Sequence, residues 1–252
     1  MLISVVVPAF NEEKILSKTL EQIQFAIDEK QNQNFTWEVI VCDNNSTDST
    51  AEVASRQGAK VAFEPINHIS RARNTGAALA TGNWLLFIDA DSFPTPELIA
   101  DVLDVIDRGN CIGCGSTIVV EDGTLFNKLR MERLNPLFLF FNICGGAFIL
   151  CERKAFETIG GFSTNLYAYE DVDFVLRLKW FGRKKIKKFI VLHRHPVITS
   201  GRKGDYSFWS IAIVCASNFA AVVLFIFHYI LPKKLTAKFG SKLLGYWYND
   251  RK

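Results

Sequence analysis

The sequence lacks the features of several specialised classes of protein. Its net charge at pH 7 is only +3, so it has no large excess of basic residues that would indicate a nucleic-acid partner. Internal repeats and low-complexity linkers are also missing from its 252 residues, which favours one large domain or a domain with an appendage. The first residues lack the basic n-region of a signal peptide, and we therefore expect the folded domain to lie in the cytoplasm.

The sequence also lacks a complete set of zinc ligands. Cys111 and Cys114 have the spacing of a zinc-binding pair, but no second Cys pair or His pair supplies the other two ligands. We interpret the cysteines as small buried residues of a protein in a reducing compartment. They are Cys42, Cys111, Cys114, Cys144, Cys151 and Cys215.

Apolar residues are abundant, because they make up 49% of the chain and include 21 Phe. The segment Phe208–Leu231 has roughly 24 residues without Asp, Glu, Lys or Arg, which is long enough to span a bilayer. It would also suit a helical hairpin or a helix lying in the membrane interface. The amphipathic stretch Leu235–Trp247 fits a membrane surface as well. We therefore predict a folded domain over residues 1–200 and a membrane-associating region over residues 201–252.

A cluster of basic residues lies shortly before this region. It comprises Arg183, Lys184, Lys185, Lys187 and Lys188. Such a cluster forms either a solvated face or a contact with anionic lipid, and the sequence leaves both interpretations open.

Strand and helix patterns alternate over the first ninety residues. Strands are predicted over Ile3–Val7, Trp37–Cys42, Lys60–Phe63 and Trp84–Ile88, with helices between them. We expect Asn11 to cap the first helix, with Glu12 in its first turn. Later strands are predicted over Ile112–Val120 and Gly145–Leu150, and helices over Pro96–Ile106, Lys154–Ile159 and Glu170–Trp180. The order of the first elements is typical of a parallel sheet with right-handed crossovers.

Two carboxylates follow the fourth predicted strand. Asp89 and Asp91 come after an unbroken apolar run, as expected at the end of a strand that is covered on both faces. Residues two apart in an extended chain point the same way, so both side chains can face one ion. Hard oxygen ligands suit Mg²⁺ or Mn²⁺. The alternative is a loop that caps the next helix, since Pro94 and Pro96 follow closely.

Several stretches, taken in order, resemble the family 2 inverting glycosyltransferases, which have the GT-A nucleotide-sugar-binding fold. The resemblance covers roughly residues 2 to 190. Its motifs are 5–13, 43–48, 89–91, 145–148, 160–162 and 170–173, reading VVVPAFNEE, DNNSTD, DAD, GGAF, GGF and EDVD. The resemblance implies a Rossmann-like, mostly parallel central sheet with helices on both faces, followed here by a C-terminal hydrophobic helical segment.

The resemblance assigns one group of residues to the nucleotide-sugar donor. These are Pro8, Ala9, Phe10, Glu12, Asp43, Asn45, Arg71, Arg73, Asn74, Asp89, Ala90 and Asp91. Asp91 would ligate the divalent metal directly, whereas Asp89 would reach the ribose or a metal-bound water. Asp43 has an alternative role in turn chemistry, and Glu12 could act only as a partner of a helix dipole. Each arginine could equally form a surface salt bridge.

A second group concerns the acceptor and the metal. By resemblance Asp171 is the general base and Glu170 is the second choice. Asp173 lies two residues further round the helix and would face elsewhere, where it would support the structure. Alternatively, the first two only charge a helix N-terminus. His193, slightly preferred over His195, is predicted as a further metal ligand, although a lone His is often a structural or surface residue. Arg202 and Lys203 could close over the diphosphate or contact lipid head groups.

Together these features imply a metal-dependent inverting glycosyltransferase at the cytoplasmic face of a membrane. It would move a sugar from a nucleoside diphosphate-sugar, by default a UDP-sugar, to a hydroxyl of a glycan or lipid-linked acceptor or to a polyprenyl phosphate. One alternative is a membrane-anchored, non-catalytic nucleotide-sugar-binding scaffold, which the intact carboxylate pairs disfavour. Another is a sugar-phosphate nucleotidyltransferase, which usually has a Gly-rich, basic loop where residues 8–12 have none.

Overall fold

The computed structural model describes residues 1–30, 34–122 and 124–201. Within them, eight strands form one sheet in the order β3-β2-β1-β4-β7-β6-β8-β5. The strands are β1 (Leu2–Ala9), β2 (Thr36–Asp43), β3 (Lys60–Phe63), β4 (Trp84–Ile88), β5 (Ser92–Phe93), β6 (Cys111–Val120), β7 (Phe148–Glu152) and β8 (Lys188–Thr199). The helices are α1 (Leu16–Glu29), α2 (Thr50–Arg56), α3 (Ile69–Leu79), α4 (Pro96–Asp107), α5 (Leu125–Phe141), α6 (Arg153–Ile159) and α7 (Glu170–Lys184).

The N-terminal half of the sheet is parallel, as predicted. Strand β1 pairs in parallel with β2 on one side and with β4 on the other, and β3 pairs in parallel with β2. All five residues of β4 are buried, which accounts for their unbroken apolar run. Helices α1, α2 and α3 connect these strands, so this half has the expected alternating arrangement.

The other half of the sheet contains antiparallel pairs, so the sheet is mixed. Parallel pairing still predominates, as predicted, because β6 also pairs in parallel with β8. Strand β7 runs antiparallel to β4 and β6, and β5 runs antiparallel to β8. The cause is the route of the chain, which returns to the sheet beside the carboxyl end of β4. There the Asp89 N–H donates to the Ala147 carbonyl over 3.2 Å, and Phe148 pairs with Ile88. The predicted strand therefore starts at Phe148, and Gly145 lies in the loop before it.

The first helix begins later than the sequence indicated. Asn11 has a φ of 52°, and α1 starts only at Leu16, so Asn11 does not cap it and Glu12 lies outside its first turn. The Asn11 side chain instead accepts a hydrogen bond from the Thr47 N–H at 2.8 Å. The polar residues after β1 thus fasten this loop to the loop after β2. Their cross-links replace the local cap that was predicted.

Helix α5 has no counterpart among the predicted elements. Apolar residues lie on several sides of it, so it has no amphipathic stripe for a sequence pattern to reveal. Asn135 fastens this helix to the sheet, because its side chain donates to the Ile118 carbonyl at 2.8 Å and accepts from the Ile118 N–H at 3.1 Å. Met131 and Phe138 pack against the core from the same helix.

The core has two parts, one on each face of the sheet. Four phenylalanines form the centre of one part, and Phe162 and Phe174 stack with ring centroids 4.2 Å apart. Phe87 and Phe156 complete the group. The five described cysteines are buried and free of disulfides, as predicted, and their burial raises the pKa of each thiol.

No helix among the described residues is long and apolar enough to cross a membrane. The predicted apolar segment Phe208–Leu231 and the amphipathic stretch after it lie outside the described residues, as do Cys215, Arg202 and Lys203.

Asn44 joins the end of β2 to the start of α3. It is 4% exposed, its amide donates to the carbonyls of Glu64 (3.2 Å) and Ile66 (2.7 Å), and its oxygen accepts from the His68 N–H (2.9 Å). Asn44→Ala would leave these buried groups unpaired, and we expect it to lower the free energy of unfolding by about 2 kcal/mol. Urea denaturation measures this change. The exposed Asn110→Ala is the matched control, and an equal effect of both substitutions would contradict the structural role of Asn44.

Candidate active site

The site lies where the order of the sheet reverses. From β1 the chain first adds β2 and β3 on one side, and then returns to add β4 on the other. The ladder between β1 and β4 ends at Val6 and Phe87, whereas β1 stays paired with β2 as far as Ala9 and Asp43. Such a reversal opens a crevice at the carboxyl ends of the strands, where α/β proteins bind their ligands.

One side of this crevice contains the residues predicted to contact a nucleoside. Pro8 and Ala9 end β1, beside Cys42 and Asp43 at the end of β2, and Phe10 follows directly. Asp43 is 6% exposed, and its carboxylate accepts from the Ser46 N–H at 3.1 Å. It therefore has a turn role, but this bond uses only one of its two oxygens.

Two other residues of this predicted group lie in the adjoining loops. Glu12 is buried, and its N–H donates to the Thr50 hydroxyl at 2.8 Å. Asn45 is exposed in a left-handed conformation, with φ at 62°, and its amide donates to Asn67 at 3.0 Å. Both residues thus belong to the connected loops at this edge of the sheet.

The loop Asp89–Asp91 is held from three directions. The Thr19 hydroxyl of α1 donates to the Ala90 carbonyl at 2.6 Å. The Ser200 N–H, just after β8, donates to the Asp91 carbonyl at 3.0 Å, and the Asp89 N–H is bound to the segment before β7. These bonds fix the backbone of the loop, and so they fix the positions from which the two carboxylate side chains extend. Asp91 is 3% exposed and Asp89 is more open to solvent.

Arg73 connects this loop to the predicted acceptor side. One guanidinium nitrogen donates to a carboxylate oxygen of Asp89 at 3.0 Å, and another donates to a carboxylate oxygen of Glu170 at 2.8 Å. The arginine side chain is only 2% exposed. A single buried cation thus holds the loop after β4 and the start of α7 together.

The surroundings of Arg73 explain why it can occupy this place. Its guanidinium lies 5.0 Å from the centre of the Phe162 ring and also donates to the Gly146 carbonyl at 3.3 Å. A Cβ atom on Gly146 would come within 2.3 Å of the guanidinium, so this position has room only for glycine. Burial opposes the charge, but the carboxylates of Asp89 and Glu170 raise the pKa of Arg73 above its usual value.

The structure does not bring Arg71 and Asn74 together with these carboxylates. Arg71 pairs with Glu64 at 2.9 Å, which agrees with the alternative of a salt bridge. The Asn74 amide donates to the Phe162 carbonyl and accepts from the Phe162 N–H, both at 2.9 Å. Asn74 therefore secures the turn that places the Phe162 ring against Arg73.

Glu170 and Asp171 form the first turn of α7, directly after Tyr169. Tyr169 has a left-handed backbone with φ at 58°, which is uncommon for a bulky residue. Burial and the charge of Asp171 raise the pKa of Glu170 to about 7, even though Arg73 acts in the opposite direction. Burial also raises the pKa of Asp171, while Arg73 lowers it. The pair therefore retains a proton toward neutral pH.

Asp173 lies on another side of α7. Its carboxylate pairs with Arg177 at 2.7 Å, and Arg177 donates to the Ile159 carbonyl at the end of α6 at 2.8 Å. This arrangement matches the supporting role that was predicted for Asp173.

The predicted metal set of Asp89, Asp91 and His193 is not assembled. Over residues 1–30, 34–122 and 124–201, no three His, Cys, Asp or Glu side chains are grouped so that they could hold a metal ion. His193 is exposed on β8, in a stretch where the register between β6 and β8 is irregular. The His195 ring contacts Asp101 of α4 at 2.9 Å. The carboxylates alone still fit a Mg²⁺-like ion that takes its remaining ligands from substrate phosphates and water.

The bridging role of Arg73 was not predicted, although the sequence contains a signal for it. Ser70, Ala77 and Gly76 share the inward side of α3 with Arg73 and are all buried. An arginine in a row of small residues at helical spacing faces the protein interior, where it needs anionic partners. The roles of Gly146 and Phe162 follow from the position of Arg73, so they also emerged only from the structure.

Comparison with known proteins agrees with this fold. A family model described as glycosyl transferase family 2 matches residues 4–204. A glycosyltransferase of Haemophilus influenzae, itself uncharacterised, is 29% identical over 187 residues, covering 70% of this chain and 62% of that protein. Mouse dolichyl-phosphate beta-glucosyltransferase is 28% identical over 176 residues, covering 64% of this chain and 53% of that enzyme.

A solved structure shares the fold. It is the glucosyl-3-phosphoglycerate synthase of Mycobacterium tuberculosis in complex with Mn²⁺, UDP-glucose and phosphoglyceric acid. The TM-score is 0.61 at 19% identity, covering 88% of this chain and 78% of that one.

The mixed sheet and the crevice at its reversal agree with the family match over residues 4–204. The chain belongs to glycosyl transferase family 2. It spans less than two thirds of the length of the two relatives described above.

The raised pKa of Glu170 predicts a pH-dependent stability. Between its ordinary value of 4.5 and about 7, the folded protein retains a proton that the unfolded chain has released. The free energy of unfolding should therefore fall as the pH rises through this window. Glu170→Gln should reduce this fall by up to about 3 kcal/mol, measured by urea denaturation from pH 5 to pH 8. The exposed Glu157→Gln is the control, and unchanged pH dependence in Glu170→Gln would contradict the assignment.

Proposed function

We propose that the chain is a metal-dependent, inverting transferase that moves a sugar from a nucleoside diphosphate-sugar to an acceptor. The observation that carries the proposal is the bridge made by Arg73. Through one side chain it joins Asp89 of the predicted donor and metal loop to Glu170, the neighbour of the predicted base Asp171. The two carboxylate pairs that the chemistry requires therefore lie at one edge of the sheet.

Asp171 is the proposed general base. A hydroxyl of the acceptor attacks the anomeric carbon on the face opposite the diphosphate, and Asp171 accepts the hydroxyl proton. The new bond from carbon to acceptor oxygen forms while the bond from carbon to diphosphate oxygen breaks, which inverts the anomeric centre. Arg73 keeps the adjoining Glu170 in place, and Glu170 holds Asp171 close to the donor loop.

Asp91, with Asp89 beside it, would hold a divalent ion of the Mg²⁺ or Mn²⁺ type. When bound, the ion would balance the negative charge of the leaving diphosphate. Arg73 engages one oxygen of Asp89, and by the family resemblance Asp91 would be the direct ligand. The proposal of a divalent metal and of a UDP-sugar donor draws support from the mycobacterial structure, which contains Mn²⁺ and UDP-glucose. Pro8, Ala9, Phe10, Glu12, Asp43 and Asn45 would surround the nucleoside.

The proposed acceptor is a glycan or lipid-linked hydroxyl, or a polyprenyl phosphate. The mouse relative is named for dolichyl phosphate, which supports a lipid phosphate. A phosphate is already ionised near neutral pH, so with that acceptor Asp171 would orient the acceptor rather than remove a proton. We place the catalytic domain, residues 1–200, at the cytoplasmic face of a membrane, with residues 201–252 as its membrane-associating region.

Asp91→Asn and Asp171→Asn test the two ends of the proposed site. The first should abolish metal-dependent release of nucleotide, and the second should lower kcat by about 10²- to 10⁴-fold for a hydroxyl acceptor because the general base is lost. The assay follows nucleotide release from UDP-, GDP- and dTDP-sugars, with Mg²⁺, Mn²⁺ or EDTA. The exposed Asp104→Asn on α4 is the control and should keep full activity.

Two results of this assay would count against the proposal. Release that is insensitive to both substitutions would place the chemistry elsewhere. The second result is that a nucleotide stabilises the protein against heat, but no donor releases nucleotide even when lipid extracts are supplied as acceptor. This result would indicate a binding scaffold.

His193→Ala tests whether β8 supplies a metal ligand. Since the described residues show no cluster of His193 with the two aspartates, the concentration of Mn²⁺ that gives half-maximal activity should change less than twofold. Asp91→Asn provides the contrast, because it should abolish the metal-dependent activity. A tenfold or larger increase for His193→Ala would show that His193 joins the metal when substrate is bound.

A further inference from the structure

Helices α5 and α7 together expose a group of apolar side chains outside the crevice. We name it the α5–α7 surface and define it by Phe140, Phe141, Leu176 and Trp180. Phe140 is 81% exposed, Phe141 57%, Leu176 38% and Trp180 62%. Exposed large apolar side chains that lie together usually mark an interaction site.

The two helices meet at this surface. The Lys179 ammonium of α7 donates to the carbonyls of Phe141 at 2.8 Å and Asn142 at 3.0 Å, so the end of α5 lies beside the middle of α7. Leu176, Lys179 and Trp180 share one side of α7 because they are three and four residues apart. The rings of Phe140 and Phe141 pack edge to face at 5.0 Å.

Basic residues border the α5–α7 surface. From Leu176 to Lys188 the chain has no Asp or Glu, and Arg183, Lys184 and Lys185 are exposed at the end of α7. The Lys184 ammonium lies 3.5 Å from the centre of the Trp180 ring. A tryptophan with a lysine over it and further cations alongside is the combination found at the interface between lipid head groups and acyl chains.

The turn after α7 adds an independent observation. Ile186 is 92% exposed and has a left-handed backbone with φ at 58°, which is a genuine outlier for a β-branched residue. Lys185 precedes it and Lys187 follows. The left-handed conformation belongs to the hydrogen-bonded end of α7, since the Lys187 N–H donates to the Gly182 carbonyl and the Ile186 N–H to the Arg183 carbonyl. The Ile186 side chain is nevertheless exposed between cations, and a bilayer of anionic lipid provides both an apolar layer and the opposite charge.

From this geometry we infer that the α5–α7 surface docks onto an anionic phospholipid bilayer. The catalytic domain itself then contacts lipid, in addition to any contact made by residues 202–252. The inference extends the proposed membrane location and does not depend on the proposed reaction. It also decides between the two interpretations of the basic cluster in favour of lipid contact. Helix α7 starts at the carboxylate pair, so Trp180 lies about 15 Å along the helix axis from Glu170.

The test maps lipid contacts on the full chain. The protein is reconstituted in vesicles rich in phosphatidylglycerol that contain a photoactivatable phospholipid, and the cross-linked residues are identified by mass spectrometry. We expect cross-links at Phe140, Trp180 and Ile186. Phe25 on α1 and Phe63 at the end of β3 are the matched controls, because they are exposed aromatic residues, 51% and 59% exposed, that lie elsewhere on the domain.

Charge reversal provides the second variant. Lys184→Glu combined with Lys185→Glu should lower the cross-linking yield at Trp180 by roughly tenfold in these vesicles, because two attractive contributions become repulsive. Both side chains are exposed, so the fold should be retained, and circular dichroism checks this.

Three results would overturn the inference. They are cross-links confined to residues 202–252, equal yields at Phe25 and Trp180, or no lipid cross-link at Phe140, Trp180 and Ile186. The readout needs neither donor nor acceptor. Failure of lipid contact is therefore distinguishable from failure of the proposed transferase activity.

Discussion

The ion pairs of Arg73 with Asp89 and Glu170 are the interaction on which the rest of the site depends. Burying a guanidinium has a large desolvation cost, and this cost is offset only where carboxylates lie at hydrogen-bond distance. Here the two carboxylates come from the end of β4 and the start of α7. The buried cation therefore does more than neutralise charge, because it fixes the distance between two segments that are far apart in sequence.

Several sequence features are consequences of that one arrangement. Gly146 is glycine because the guanidinium occupies the volume of a side chain. Asn74 binds both backbone groups of Phe162, and this places the aromatic ring against Arg73. The left-handed backbone of Tyr169 stores strain at the point where the chain turns into α7, and the bond between Arg73 and Glu170 helps to hold it there. The residues nearest the carboxylates are thus positioned by their contacts with Arg73 and Phe162, which are distant in sequence.

The sequence predicted the parts of this protein that depend on local pattern. The parallel strands β1 to β4 follow from apolar runs with helical periodicity between them, and the two carboxylate pairs follow from their places at the ends of such elements. Long-range contacts were not predictable in the same way. The antiparallel entry of β7, the bond between Asn11 and Thr47 and the partners of Arg73 each join residues many positions apart. Helix α5 was not predicted for a different reason. It is apolar on several sides, so its sequence has no periodic stripe of apolar residues.

The apolar residues on several sides of α5 also bear on what the protein contacts. A helix with apolar residues on several sides is stable in water only if most of those sides are covered. The sheet covers one side of α5 through Met131, Asn135 and Phe138, yet Phe140 and Phe141 remain exposed beside the middle of α7. Covering them with an anionic bilayer would hold the crevice in a fixed position relative to the lipid, because α7 contains both the carboxylate pair and Trp180. The position of the site relative to the membrane would then be set by the folded domain rather than by a linker.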